Sequence, residues 1–486
     1  QFRRRLFDRQ HRRAQAMIPA EFTACHELQL AAYKMNRNPS HAERVADLRT
    51  LHRMLVENHD ALVDAVNKDF GCRCAFETKF AETFMAQDAT LDAIKHLKKW
   101  MKPIRRHLDP TQFPLARAWT FPQPVGVVGV VVPWNFPIAM AFQPLIGIIA
   151  AGNRAMIKMS ENSNHLALLL KQISPKYFPL DKLAFFEDAG GRGPQFTTLP
   201  FDHIFFTGSP ATGKAVMANA AKNLTPVTLE LGGKSPCVVA PDYPMRTAAE
   251  RILWAKMLNA GQICTNVDYL FLPEGKVDEF IREAKSVVNK RFPDINNGDY
   301  TAIIDQRSWE RLQATAADAV ARGARLIDLY TGPVAAGERR IMPPRIVIDV
   351  NDDMDIMQRE IFGPLLPIRT YKTREEVVEY IGDRPRPLAL YLFSDDVDLQ
   401  QYYLNNTISG GVGLNESVVQ AGIHSLPFGG TGNSGMGHYH GYEGFATFSK
   451  LRPVFRQGAW RALDLFAPPY AGWPNRLLNF MIRLKS

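Results

Sequence analysis

The apolar positions first fall at helical spacing. Ser40 with Glu43 three residues on is a capping-box signature, and Val45, Leu48, Leu51 and Leu55 follow at three- and four-residue steps. A second helix is predicted from about Asp60, stopping near Gly71. Between Pro103 and Pro124 the period is lost. Pro103, Pro110, Pro114, Pro122 and Pro124, with basic residues between them, predict an extended arm or a domain crossing. From Val125 short apolar runs at 125–132, 153–158, 183–187, 203–206 and 227–231 read as strands, with helices over 166–173 and 211–222 among them. The alternation resumes after Gly233, with a helix over 248–260 that Gly261 stops, and strands near Tyr269, Ile346 and Leu388. Strands alternating with helices imply βαβ units and mostly parallel sheets. The pattern therefore predicts two α/β domains joined near residue 230, and shows no internal repeat.

Composition narrows this picture. With 486 residues, 46% hydrophobic and 22% charged, the chain is too apolar for a disordered protein and too long for one ordinary core. The net charge of +9 is concentrated in Arg3, Arg4, Arg5, Arg9, Arg12 and Arg13, which reads as a mobile, solvated tail rather than a nucleic-acid-binding face. Five cysteines in so large a chain argue against a disulfide framework and for a reducing, cytoplasmic compartment. Cys72-Arg73-Cys74 lacks the second half of a zinc site and reads as two ordinary thiols near a turn, so no metal is expected. The most apolar stretch, 138–152, is broken by Gln143 and Pro144 and falls short of the ~20 residues of a transmembrane helix. Residues 477–484 predict a short amphipathic helix that packs on its own protein or on a partner subunit, with peripheral membrane contact the weaker alternative.

Candidate chemistry lies in a few short segments. Pro133-Trp134-Asn135-Phe136-Pro137 follows the first strong strand, and its prolines would stiffen a loop presenting the Asn135 amide as an oxyanion donor. The strand over 153–158 runs out through Lys158-Met159-Ser160-Glu161, where open α/β sheets bind nucleotides. A carboxylate there suits a free ribose diol and would repel a 2′-phosphate; a solvated loop pair is an equal reading. Thr207-Gly208-Ser209-Pro210-Ala211-Thr212-Gly213-Lys214 joins a strand to a helix, either as a cradle for a pyrophosphate or as a plain helix start. It is one residue from a P-loop, but Ala215 stands in place of the magnesium-binding hydroxyl. Leu229-Glu230-Leu231-Gly232-Gly233-Lys234-Ser235 sets an acid between apolar neighbours, where burial would suit it to general-base work or leave it purely structural. Asn259-Ala260-Gly261-Gln262-Ile263-Cys264-Thr265 leaves Cys264 on a turn after a helix, as a nucleophile for a carbonyl carbon or as one more inert thiol.

These motifs occur in order, followed by Glu360-Ile361-Phe362-Gly363-Pro364, and from about residue 40 to 455 the chain resembles the NAD(P)-dependent aldehyde dehydrogenase superfamily. Segments 201–209, 223–230 and 426–437 resemble its class 3-like branch. Segment 384–391 and the extended N-terminal region are similar to the coniferyl aldehyde dehydrogenases. The resemblance implies an α/β fold of two doubly wound parallel-sheet domains plus a small β-arm oligomerisation region. Residues 1–105 and 125–231 would form the dinucleotide-binding domain, with 1–20 a mobile tail, and 232–425 the catalytic domain. Residues 106–124 and 426–460 would bridge subunits, and 461–486 would be a C-terminal tail. A homodimer is implied, with the arm and Pro453-Val454-Phe455 pairing across it.

The resemblance also implies roles. Cys264 would attack a small-molecule aldehyde to give a thiohemiacetal and then a thioester. Asn135 and the Cys264 backbone N–H would hold the oxyanion, and Glu230 would activate the hydrolytic water. NAD, or alternatively NADP, would take the hydride. Lys158 and Glu161 would hold the adenosine ribose, and Gly208, Ser209 and Gly213 would face the pyrophosphate. Glu360 would hold the nicotinamide ribose, with Phe362 and Trp134 beside the ring. Phe136, Met140 and Trp254 would line a tunnel for aromatic or medium- to long-chain aldehydes, or pack as ordinary core. Met159, Ala255, Ile263, Thr265-Asn266-Val267 and segment 188–193 depart from the usual pattern, which bears on substrate preference and on the cofactor-domain edge. Two alternatives compete: a CoA-acylating relative, disfavoured by Glu230, and a P-loop nucleotide-binding protein, disfavoured by Ala215.

Overall fold

The computed structural model describes residues 18–485 apart from 111, 189 and 336–338, so the arginine-rich start lies outside the described residues. The helix announced by Ser40 runs His41–Glu57 with both halves of the capping box formed. The next, His59–Phe70, ends on Gly71 in the left-handed conformation, which a residue without Cβ adopts freely.

The strands, in chain order, are β1 (Ile104–Arg106), β2 (Arg117–Pro124), β3 (Val127–Val131), β4 (Arg154–Lys158), β5 (Leu183–Phe186), β6 (His203–Gly208), β7 (Val227–Leu231), β8 (Pro236–Val239), β9 (Tyr269–Pro273), β10 (Arg325–Asp328), β11 (Arg345–Ile348), β12 (Leu365–Tyr371), β13 (Ala389–Phe393), β14 (Gly411–Leu414), β15 (Gly435–Met436) and β16 (Ser449–Arg456). A six-stranded sheet has the order β15-β7-β6-β3-β4-β5, and a seven-stranded sheet the order β10-β11-β12-β9-β8-β13-β14. Both are parallel except for β15 and β10, each antiparallel to its neighbour. The fold is thus α/β with two doubly wound sheets. All five residues of β3 are buried, as valine-rich central strands of parallel sheets are.

Helix Pro137–Ala150 is buried along nearly its whole length, which accounts for the most apolar stretch of the sequence. Among the described residues no helix is long and apolar enough to cross a membrane. The C-terminal amphipathic pattern becomes helix Trp473–Lys485, whose Leu477, Met481 and Leu484 turn toward a groove shared with Phe113 and Trp460 of the same chain.

Two expectations are corrected. The arm does not pair with residues 453–455 across subunits: β16 runs antiparallel to β2 within one chain, from Ser449 opposite Pro124 to Arg456 opposite Arg117. With β1 on the other edge of β2, both ladders of that strand are filled. The helix before Cys264 does not continue to Ala260. It spans Met245–Met257, and Asn259, Ala260 and Gly261 then all take positive φ. Tertiary contacts enforce this turn: the Asn259 N–H donates to the buried Glu77 carboxylate, and Gly261 lies so close to the Gly363 carbonyl that a Cβ would overlap it.

Candidate active site

The six-stranded sheet reverses its winding at β3. The chain steps outward through β4 and β5, then returns to place β6 on the other side of β3. In open α/β sheets ligands bind beyond the carboxyl ends of the strands at such a switch point. The loop after β3 carries Trp134 and Asn135, the turn after β6 carries Gly208 and Ser209, and β7 ends with Glu230 and Leu231.

Asn135 is buried, and its side-chain amide donates to the Gln262 carbonyl at 3.2 Å. This ties the loop after β3 to the turn that carries Cys264. Cys264 is partly exposed at a cavity of about 330 Å³, whose walls include Asn135, Phe136, Met140, Trp254, Ile263 and Phe428. The three sequence-predicted pocket residues therefore share one space with the predicted nucleophile. The thiol is pushed up to about 12, first by burial and then by the charges of Glu360 and Glu230, while the backbone N–H groups of Thr265 and Cys264 act the other way. A thiol so disfavoured as an anion is protonated at neutral pH in this environment.

Glu230 is 3% exposed, and neither carboxylate oxygen accepts a hydrogen bond among the described residues. Burial raises its pKa well above the ordinary carboxylate value. Glu360 lies against Gly232, where any side chain would overlap its carboxylate. It accepts from the Gly233 N–H, leaves Oε1 buried without a partner among the described residues, and is pushed up to about 8, chiefly by burial. Trp134 meets Phe362 edge-on at 5.4 Å, and Phe362 itself sits at positive φ.

On the nucleotide side the placements are mixed. Ser209 caps helix Pro210–Ala220 by accepting from the Thr212 N–H, so the positive end of that helix opens at the switch point. Gly208 lies over the Phe206 ring. Gly213 faces inward: a Cβ there would stand 2.8 Å from Leu231 Cδ2, so the glycine serves close helix-to-sheet packing rather than an outward-facing cradle. Lys158 is buried at the end of β4, and its ammonium pairs with Asp188 just past β5. Glu161 is exposed beside Ser160. Among the described residues no cluster of side chains suited to a metal ion is present.

The family model described as "Aldehyde dehydrogenase family" matches residues 12–454. The chain belongs to the aldehyde dehydrogenase family. This aldehyde dehydrogenase is 47% identical over 443 residues to a probable coniferyl aldehyde dehydrogenase of Pseudomonas aeruginosa, covering 91% of this chain and 92% of the relative. It is 42% identical to the coniferyl aldehyde dehydrogenase of a Pseudomonas species, over 92% of this chain and 94% of that one. Mouse aldehyde dehydrogenase family 3 member B2 is 37% identical, over 97% of each chain. Among solved structures, the substrate-bound AldH of Staphylococcus aureus superposes with a TM-score of 0.88 at 31% identity, over 94% of this chain and 99% of that one. A Mycobacterium tuberculosis aldehyde dehydrogenase complexed with NAD+ superposes with a TM-score of 0.81 at 26% identity, over 91% of each chain.

Several supporting residues of this aldehyde dehydrogenase were not singled out from its sequence. Lys234, inside the quoted Leu-Glu-Leu-Gly-Gly-Lys-Ser motif, pairs with Asp268 and donates to the carbonyls of Ile356 and Arg359. Asp268 accepts from the Ile361 N–H, and Arg311 donates to the Ile361 carbonyl. Together they pin the strand of chain bearing Glu360. Tyr439 also lines the cavity, with its hydroxyl on Met140 Sδ at 3.8 Å. The motif lysine was a usable signal; Asp268, Arg311 and Tyr439 come from distant segments with no local pattern.

Proposed function

We propose that this enzyme oxidises an aromatic aldehyde of the coniferyl type to its carboxylic acid with NAD+, through a covalent thioester on Cys264. The observation that carries the reading is the shared cavity. Cys264 and Asn135 open onto a space walled by Phe136, Met140, Trp254 and Phe428, apolar enough for an aryl group and polar where a carbonyl would sit.

Cys264 gives up its thiol proton to solvent in the cavity, the thiolate Sγ attacks the carbonyl carbon, and the new oxyanion lies between the Asn135 amide and the Cys264 backbone N–H. Bound NAD+ supplies a hydride acceptor. Loss of hydride leaves the thioester. Glu230 takes a proton from water, the water attacks the thioester, and the carboxylic acid leaves with the thiol restored. A carboxylate whose two oxygens accept no hydrogen bond among the described residues is able to accept that proton. This favours water over CoA as the acceptor of the acyl group.

The cofactor fits the residues at the switch point. The capped helix end with Gly208 and Ser209 suits a pyrophosphate. The orphaned Glu360 Oε1 suits a nicotinamide-ribose hydroxyl, with Phe362 and Trp134 beside the ring. Lys158 and Glu161 would take the adenosine ribose, and Asp188 beside Lys158 favours NAD over NADP by opposing a 2′-phosphate. In this reading residues 1–105, of which 1–17 lie outside the described residues, and 125–231 make up the dinucleotide-binding domain and 232–425 the catalytic domain, with the arm and 426–460 bridging apart from β15, which lies in the six-stranded sheet. The outer edges of β1 and β16 offer backbone groups to a second copy, which supports a homodimer. Five unpaired cysteines support a reducing, cytoplasmic location.

The test is NADH formation with coniferyl, cinnamyl, benzyl and medium-chain aldehydes, alongside Cys264→Ala. Turnover highest for the aryl-propenal and absent in the variant is expected. Equal turnover by the variant contradicts covalent catalysis, and a preference for straight chains contradicts the substrate class. Sedimentation as a stable monomer removes the dimer.

A further inference from the structure

In Cys72-Arg73-Cys74 the arginine between the two thiols reaches the site. Arg73 is 3% exposed, and its guanidinium lies between the rings of Phe70 and Phe136, 4.7 and 4.9 Å from their centroids. From there Nη1 donates to the Asn135 main-chain carbonyl at 2.8 Å, and Nη2 lies 3.3 Å from Glu82 Oε1. Glu82 is fully buried in the π-helical turn Lys79–Phe84, a distortion that recurs at functional sites. Its other oxygen accepts from the N–H groups of Ile138 and Ala139, at 2.7 and 3.2 Å.

The pair thus holds the loop after β3 at two points, one at Asn135 and one at the start of helix Pro137–Ala150. The loop is held from the opposite side as well. Asn259 Nδ2 donates to the same Asn135 carbonyl at 3.0 Å and to the Gln262 carbonyl at 3.0 Å, and the latter also receives the Asn135 side-chain amide. The Asn135 carbonyl therefore has both lone pairs engaged, and the direction of its side chain follows from where that carbonyl is fixed. We propose that Arg73, clamped by Glu82 and two aromatic rings, is a positioning residue that sets the place of the Asn135 amide over Cys264. The inference rests on the reading of Asn135 as oxyanion donor.

A lysine keeps the charge but not the fork, so it cannot serve Asn135 and Glu82 with the same geometry. A shift of the order of 1 Å in a group at the reacting centre costs about a hundredfold in rate. Arg73→Lys should therefore lower kcat about tenfold, and Arg73→Met about a hundredfold, with KM for aldehyde changed less than about threefold. Asn135→Ala alone should cost about 10²–10³ in kcat.

The deciding measurement is a double-mutant cycle. In the Asn135→Ala background each Arg73 substitution should change kcat by less than about twofold, because there is no longer a donor to misplace. Circular dichroism and the thermal midpoint report whether each variant is folded, and Arg73→Lys suffices if Arg73→Met is not. Full kcat in Arg73→Lys overturns the proposal. So does an equal fold-loss in both backgrounds, which would mark Arg73 as a structural staple while leaving the reading of Asn135 standing. If Asn135→Ala itself keeps full kcat, the reading of Asn135 falls and the inference with it.

Discussion

Glu230→Gln keeps the volume of a side chain that is 3% exposed and accepts no hydrogen bond among the described residues, so the fold loses no partner. What is lost is a proton acceptor. A positioned general base contributes about 10²–10⁴-fold, or about 2.7–5.4 kcal/mol of barrier at 1.36 kcal/mol per decade. The loss should fall on hydrolysis of the thioester and spare its formation. Mixed rapidly with aromatic aldehyde and NAD+, the variant should release about one NADH per Cys264 in a fast phase and then almost stall. Mass spectrometry of the stalled enzyme should show the acyl group on the Cys264 peptide. Stability supplies a second reading. The folded-state pKa of Glu230 is raised above 4.5, so its contribution is fully present below that value and is lost as pH rises toward the folded value. Across that window the wild type should lose up to about 1.4 kcal/mol per pH unit from this group, and the glutamine variant should not. Linear NADH release at the wild-type rate would refute the role, and a slow first turnover without a burst would move Glu230 ahead of the thioester.

Alkylation of Cys264 by iodoacetamide in the cofactor-free enzyme should climb about tenfold per pH unit and continue past the ordinary thiol value of 9.0, because its pKa is pushed up to about 12; a plateau near 9.0 would contradict this. Gly213→Ala sets a methyl group 2.8 Å from Leu231 Cδ2 and should cost about 1–3 kcal/mol in urea unfolding, whereas an unchanged midpoint would mean the helix stands off the sheet. Asp188→Asn leaves the buried Lys158 ammonium uncompensated and should cost about 3–5 kcal/mol, so a loss under about 1 kcal/mol would show that the pair is hydrated. Trp254→Ala removes an aromatic wall and should raise KM for aryl aldehydes about tenfold while sparing the smallest aldehydes, and equal effects on both would place the ring outside the binding path.

What was legible in the sequence was local. The Ser40 capping box, the Gly71 stop and the valines of β3 each announce an element whose residues are neighbours in the chain. Cys264, Asn135 and Phe136 were readable because they stand in contiguous motifs, and the structure brings them to one cavity with Met140 and Trp254, which stand in none. The turn before Cys264 was misplaced because a helical apolar period runs through Ala260, and only contact with Glu77 and Gly363 bends the chain at Asn259. Arg73 and Glu82 were passed over because nothing near a charged residue says that it will be buried beside an opposite charge. The Lys158 ion pair was not legible for the same reason: Asp188, its partner, is thirty positions away on the next strand's exit. The arm's proline-rich character and its partner segment Pro453-Val454-Phe455 were visible, but their pairing within one chain was not.

The antiparallel closure of β7 by β15 sets Gly435 opposite Glu230. The strand carrying the proposed base therefore waits for a neighbour made some two hundred residues later, and β2 waits longer still for Ser449–Arg456. During synthesis on the ribosome these edges stay open until residues 435–436 and 449–456 have emerged. Contacts so distant in the chain form slowly and leave unpaired edges exposed in the meantime. A nascent chain arrested before Gly435 would hold the cysteine and its loop yet lack the strand that seats the acid, so the edge beside Glu230 closes only after Gly435 has emerged.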